Sequence, residues 1–317
     1  MLNKLKAYNF SNEALSLIRS YFKDRLNRVK LGDNVSDWKT STRGCPQGSS
    51  FGPLMWNLFQ NDMAYLIKKA SLSIYADDHQ IYTSAKTVDD VQRTLNEEGL
   101  IISNWYKENL LQGNHDKYNV LLIGDRLKSL DLKLNIDGVD INSTKELKLL
   151  GVTLDDNLNF SSHIGIVCKK AGMKVGVLSR LRNLIPREVK LQLFKAAILP
   201  HLTYCHVIWH FCRATDCKKI ERVQERALRI VFNNNTDTYN ELLSQAKLPS
   251  LLNRRLQDIL VLMYKVKNSL VPNYINNLFY SHNKMHNLRN QEFPIPRFNT
   301  CRYGKHSIRY LWPHIME

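Results

Sequence analysis

Apolar positions return every three or four residues near the start of the chain, at Leu2, Leu5, Phe10, Leu15, Ile18 and Phe22. That spacing predicts helix, stopped at Asn9 and restarted at Ser11, whose hydroxyl can cap a new first turn. The period then shortens. Asn27–Leu31 and Asp37–Thr42 read as arms of a β-hairpin around Gly32-Asp33-Asn34, with Arg25, Arg28, Lys30, Lys39 and Arg43 on its polar side. Gly44, Pro46 and Gly48 make a tight loop. Ser49 or Ser50 can cap the helix that Pro53 opens, and Leu54, Leu58 and Met63 are its expected buried stripe.

Alternation returns in SLSIYADDHQIYTS, Ser71–Ser84, and predicts a hairpin with Asp77 and Asp78 at its turn. Thr87 with Asp90 forms a candidate capping box. The long amphipathic helix it opens carries Val88, Val91, Leu95, Leu100, Ile101, Trp105 and Leu110. Asn109–Lys117 turns back into a strand over Tyr118–Ile123. Leu130–Ile141 reads as a hairpin around Asp137-Gly138, and Leu147–Leu154 as one short strand. From Ser161 to about Phe232 the pattern is helical, with Leu191, Phe194, Ile198 and Leu202 on one face, and Leu251–Lys267 adds a further helix. Beyond Ser281 the chain is dotted with Pro and Arg (Pro294, Pro296, Arg297, Arg302, Arg309). The fold class is α+β: antiparallel hairpins plus helices, then a basic α-helical module, then a helical or irregular C-terminal region. The expected divisions are residues 1–124, 125–160, 161–235 and 236–317.

Charge narrows the partner. The chain has 45 Lys and Arg against 29 Asp and Glu, a net +16. Between Lys169 and Arg229 there are 14 basic residues and 4 acidic ones. One-signed charge on amphipathic helices points to a polyanion, nucleic acid before membrane. The six cysteines are too scattered for a disulfide framework, Met1–Phe10 lacks the apolar core of a secretion signal, and no window reaches membrane-span length. The expectation is an intracellular protein with reduced thiols.

Adjacent carboxylates repel. At a turn, Asp77 and Asp78 are either solvated or hard oxygen ligands for a divalent cation. A glycine-flanked loop feeding a helix, as at Gly44–Gly48, offers free N–H groups to a phosphate or base. Cys205, His206, His210, Cys212 and Cys217 invite a zinc reading, but their spacing matches no paired C-x-x-C site, and their apolar neighbours read as core. Neither a phosphate-binding G-x-x-x-x-G-K-[ST] loop nor a nucleophile elbow occurs.

The string GCPQGSSFGPLMWNLFQNDM followed by YADDHQIY resembles motifs B and C of reverse transcriptases, more narrowly those of jockey-type non-LTR retrotransposons. NWYKENLLQGNHDKYNVLLIG is similar to motif D, LKLLGVTLDDNLNFSSHI to the strand pair after the palm, and YCHVIWHFCRATDCKKIERVQERALRIV to the helical region beyond. YGKHSIRYLWP resembles the closing segment, so the resemblance covers nearly the whole chain. It implies a partial polymerase palm, a basic thumb-like module over 161–235 and a C-terminal region. It implies RNA-directed DNA polymerisation by two-Mg²⁺ nucleotidyl transfer, extending a primer 3′-hydroxyl on an RNA template with dNTPs. Asp77 and Asp78 would be catalytic and hold Mg²⁺. Lys117 would sit near the departing pyrophosphate. Pro46, Gln47 and Gly48 would contact template and nascent pair, and Tyr75 and Ala76 would lie at the primer end. A nuclear place of action follows.

The family also uses a motif A carboxylate on an Ala-Phe-Asp type strand, and no such strand occurs in these residues. Asp24, Asp33, Asp37 and Asp62 are not on a strand expected beside the YADD hairpin. The expectation is a truncated chain, inactive alone. The alternatives are a non-catalytic module whose basic helices bind RNA or an RNA–DNA hybrid, and a complete enzyme whose first exons are missing from the sequence.

Overall fold

The computed structural model describes residues 1–42, 44–124, 131–279, 307, 308 and 311. These fall in two compact units, Met1–Val120 with 131–143, and 121–124 with 144 onward. The chain is mixed α+β, and its sheets are small: among the described residues, four are two-stranded and one is three-stranded.

The first unit opens with α1 (Leu2–Ala7) and α2 (Asn12–Phe22). Asn9 takes a positive φ between them, and the Ser11 hydroxyl accepts from Ala14 N at 3.3 Å, as the sequence predicts. β1 (Leu26–Asn27) pairs with β4 (Lys39–Thr40), and β2 (Lys30–Leu31) with β3 (Asn34–Val35), turning at Gly32. α3 (Phe51–Gln60) follows the Gly44–Gly48 loop. Its buried side is Gly52, Met55 and Gln60, continued by Met63 in the 3-10 turn Asn61–Tyr65. Leu54 is 52% exposed and Met55 takes its place in the core, whereas Leu58 is partly buried and Met63 fully buried, as expected.

β5 (Ser71–Tyr75) and β6 (Asp78–Tyr82) form the predicted hairpin. Leu72, Ile74 and Ile81 pack with Met63, Ile67, Ile102 and Trp105, the last two from α4 (Val88–Glu108). Thr87 caps α4 by accepting from Asp90 N at 3.2 Å, but donates its own hydroxyl to Asp90 Oδ2 at 2.7 Å. The helix ends before Leu110, which has a φ of 56° and is 83% exposed rather than buried. Only β7 (Val120–Leu121) of the Tyr118–Ile123 segment is strand. It adds to β8 (Lys133–Ile136) and β9 (Val139–Thr144) in the order β7-β9-β8. Asp137 and Gly138 at φ 56° and 79° make the expected hairpin turn; Leu130 lies outside the described residues.

In the second unit, Leu147–Leu154 is not one strand but two. β10 (Glu146–Leu149) and β11 (Val152–Asp155) turn at Leu150-Gly151, both at positive φ. Glycine there licenses a reversal inside a run that reads as continuous. The Asp155 carboxylate then accepts from Asn157 N, Asn159 N and Phe160 N, holding a turn with two left-handed residues, Leu158 and Phe160.

α5 (Ser161–Arg180), α6 (Arg187–Leu193), α7 (Leu199–Thr203), α8 (Ala214–Phe232), α9 (Tyr239–Ala246), α10 (Leu251–Lys267) and α11 (Asn273–Phe279) complete the unit. Ile164, Ala171, Phe194, Leu202, Trp209, Ile220 and Leu228 lie in its main core. A π-turn at Phe194–Ile198 joins α6 to α7, where Pro200 lacks the N–H that a regular helix would donate. Residues 204–213 are turns, not the packed helix expected there. Pro294, Pro296, Arg297, Arg302 and Arg309, which dot the segment beyond Ser281, lie outside the described residues.

Candidate active site

The register of β5 and β6 pairs Tyr75 with Asp78, so a two-residue turn of Ala76 and Asp77 closes the hairpin. Asp77 is therefore in the turn, and Asp78 is the first residue of the return strand. Ala76 holds a φ of 54°, a left-handed conformation costing roughly 1–2 kcal/mol for a residue with a Cβ. The surroundings enforce it. Trp56 on α3 donates its indole N–H to Ala76 O at 2.8 Å.

His79 anchors the first turn of the return strand. Its Nδ1 is 2.5 Å from Tyr106 Oη on α4 and its Nε2 is 3.0 Å from Gln60 Oε1 on α3. Gln60 offers an acceptor, so Nε2 carries the proton and the tyrosine hydroxyl donates to Nδ1. Burial pushes the imidazole below its ordinary pKa, against the opposing pull of Asp77 and Asp78. Burial also pushes Tyr106 up to about 12. The hairpin is thus pinned at three points while its carboxylates stay exposed. Among the described residues neither aspartate has a side-chain partner.

The Gly44–Gly48 loop sits upstream on the same helix. Arg25 donates to Gly44 O at 2.5 Å, and Ser49 N to Pro46 O at 3.3 Å. Ser49 Oγ receives the Tyr21 hydroxyl at 2.7 Å and Phe51 N at 3.2 Å. Ser49, rather than the formal cap Ser50, therefore satisfies the helix start. Gly48 has a φ of +82° with open space around it, so conformation and not room requires glycine. Gln47 and Gly48 are exposed, and Pro46 is half-buried.

Structure brings this loop and the hairpin together through α3, whose Trp56 and Gln60 both reach the hairpin. Lys117 is exposed in the 3-10 turn His115–Lys117 and makes no hydrogen bond or ion pair with either aspartate. Trp56, Gln60 and Tyr106 are the positioning residues that sequence reasoning missed. A tryptophan N–H on a partly exposed helix face needs an acceptor, and that need was the available signal.

A family model described as reverse transcriptase (RNA-dependent DNA polymerase) matches residues 1–154. The probable RNA-directed DNA polymerase from transposon BS of Drosophila melanogaster is 26% identical over 242 residues, which is 73% of this chain. Over those stretches the chain is similar to reverse transcriptases of non-LTR retrotransposons. The RNA-directed DNA polymerase from mobile element jockey of the same fly is 25% identical over 69% of the chain. A Pol polyprotein from type-1 retrotransposable element R1 2 of Nasonia vitripennis is 27% identical over 53%. The chain spans 27%, 25% and 43% of the lengths of these three relatives.

Reverse transcriptases generally use Mg²⁺. Asp77 and Asp78 have the hard oxygen donors such an ion takes. Among the described residues, however, no three His, Cys, Asp or Glu side chains converge to hold a metal, zinc at Cys205–Cys217 included. Other acids are committed or distant in role. Asp62 binds Lys4 at 2.7 Å and receives the Trp105 indole at 3.0 Å, and exposed Asp24 stands 3.5 Å from Lys23. The donors present do not close a two-ion centre by themselves. Among the described residues no helix is long and apolar enough to cross a membrane.

The basic helices keep their charge on display. Lys169, Lys170, Lys174, Arg180, Lys195, Lys218, Arg222 and Arg226 are exposed and have no ion-pair partner among the described residues, whereas Lys219 and Arg229 are bridged within α8. His201 on α7 is held below its ordinary pKa by burial and then by Lys174 and Lys170.

Proposed function

We propose that this chain supplies the distal palm and the thumb-like helices of an RNA-directed DNA polymerase. Asp77 and Asp78 are its catalytic carboxylates. Pro46, Gln47 and Gly48 meet template and nascent pair, Tyr75 and Ala76 meet the primer end, and Lys117 serves the leaving pyrophosphate. The observation that carries this reading is the exposed Ala76-Asp77 turn tied by Trp56 to the helix that the glycine loop opens. Preorganised groups contribute most when packing holds them before substrate arrives.

A further carboxylate must come from outside the described residues. Two observations support this: among the described residues the donor set is incomplete, and the β5–β6 sheet has two strands with open edges that a further strand can pair. Template RNA, DNA primer and dNTPs are the partners on this reading, and the nucleus is its place of action. The exposed cations of α5 and α8 hold the nucleic-acid backbone.

That same basic surface favours a second reading, binding of RNA or an RNA–DNA hybrid without chemistry. Cross-linking decides between them. A hybrid whose primer ends in 4-thiothymidine should cross-link to Ser71–Ser84. Cross-links confined to α5 and α8 would favour the second reading.

A further inference from the structure

Arg255, on α10, is fully buried, yet no carboxylate pairs with it among the described residues. Its Nε and Nη1 have no hydrogen-bond partner. Its Nη2 points at Cys217 Sγ, 3.4 Å away, and its plane lies 5.2 Å from the Trp209 ring centre. A buried guanidinium without an anion is costly. The nearby acids are taken: Asp216 by Ser161 and Lys219, Glu221 by Tyr239 and the backbone of Leu251 and Leu252. Among the described residues, the group its guanidinium touches that can take negative charge is the Cys217 sulfur.

Cys212 Sγ stands 3.2 Å from Cys217 Sγ. Cys212 lies in the turn before α8, and Cys217 sits in that helix's first turns, partly exposed. A cavity of about 390 Å³, lined in part by Leu158, Phe211, Cys212 and Arg213, reaches Cys212, and Cys217 beside it is itself partly exposed.

We propose that Cys212 and Cys217 form an oxidisable dithiol, with Cys217 the attacking thiolate held by Arg255, whose reaction partner is a hydroperoxide. The sulfur of Cys217 attacks one peroxide oxygen, the O–O bond breaks, and the departing hydroxide takes up the thiol's proton as water. Cys212 sulfur then attacks the Cys217 sulfenic sulfur. The S–O bond breaks, and the hydroxide leaves as water with the Cys212 proton. Two thiols lose two electrons in all, and one hydrogen peroxide becomes two waters. The disulfide ties the 204–213 turn to α8.

Titration runs in the same sense. The Cys212 hydrogen bond and then Arg255 bring Cys217 well below the thiol range, against burial and the charges of Glu221 and Asp216. The hydrogen bond to Cys217 and burial push Cys212 up.

The test uses the full chain. After hydrogen peroxide and then alkylation, peptide mass spectrometry should find a Cys212–Cys217 link two hydrogens lighter, with Cys168 and Cys205 still alkylated. Without peroxide, iodoacetamide at pH 7 should modify Cys217 first, and Arg255→Met should slow that step about tenfold. Cys212→Ser, checked by circular dichroism, should instead leave a dimedone-trappable sulfenic acid at Cys217. This arm decides if Arg255→Met does not fold. Alkylation of Cys217 no faster than of Cys205, or peroxide treatment without the link, overturns the proposal.

Discussion

Trp56 Nε1 lies 2.8 Å from the carbonyl oxygen of Ala76, so the helix after the glycine loop holds the turn that carries Asp77. Twenty positions apart in sequence, the two elements are fastened by this bond. Trp56→Phe keeps the ring and removes the donor. It should lower stability by only about 0.5–1.5 kcal/mol, because water can replace an exposed donor. Hydrogen exchange at the Asp77 and Asp78 amides should nevertheless speed up while amides of α4 stay protected. Unchanged exchange at the turn would remove Trp56 from the positioning set.

Lys4 is the second fastening of this unit. Its ammonium pairs with Asp62 at 2.7 Å, donates to Phe59 O at 2.8 Å, and lies 4.4 Å and 4.6 Å from the ring centres of Phe59 and Trp105. Partly buried charge over aromatic faces is worth more than a surface pair. Lys4→Met should cost roughly 2 kcal/mol in urea unfolding, and Lys4→Met with Asp62→Asn less than the two singles summed.

His210 sets a pH dependence in the second unit. Burial first, then Arg255 and His206, bring its pKa down to about 4. A histidine whose folded pKa is depressed is neutral in the fold and takes up a proton on unfolding. Its contribution is fully present above the unfolded pKa of about 6.5 and is lost as pH falls toward 4. With the ring only partly shielded from solvent, unfolding free energy should drop by about 1 kcal/mol between pH 7 and pH 4.5. His210→Gln should flatten that slope in urea titrations at the two pH values.

The basic face predicts a salt signature. Replacing Lys169, Lys170 and Lys174 by Ala should weaken binding of an RNA–DNA hybrid and reduce the log–log salt slope by roughly 2–3. Filter binding at several salt concentrations measures both. A slope unchanged in the triple variant would place the nucleic acid elsewhere.

Local rules reached far into this fold and stopped where contacts are distant. Ser11, the Asp137-Gly138 turn and the alternation of Leu72, Ile74 and Ile81 were legible because neighbours in sequence decide them. Leu54 came out exposed because packing against α1 and α2 selects Met55 for the core. Leu150-Gly151 reversed a strand that hydrophobicity alone draws straight, and residues 204–213 left the helix although their apolar content is core-like. At the candidate site, the sequence placed the aspartates on a hairpin and the glycines before a helix. That Trp56, Gln60 and Tyr106 fasten the hairpin depends on contacts 19 to 27 positions apart, which no short-range period encodes.

On the proposed reading, Asp77 and Asp78 are the catalytic carboxylates and need one further carboxylate that the described residues do not supply. Mg²⁺-dependent extension of a DNA primer on an RNA template tests it most directly. The 317-residue chain should bind the hybrid without extending it. Joined to a polymerase segment carrying an Ala-Phe-Asp strand, it should extend the primer, and Asp77→Asn should abolish extension while leaving hybrid affinity unchanged. Extension that persists in Asp77→Asn would remove Asp77 from the catalytic centre.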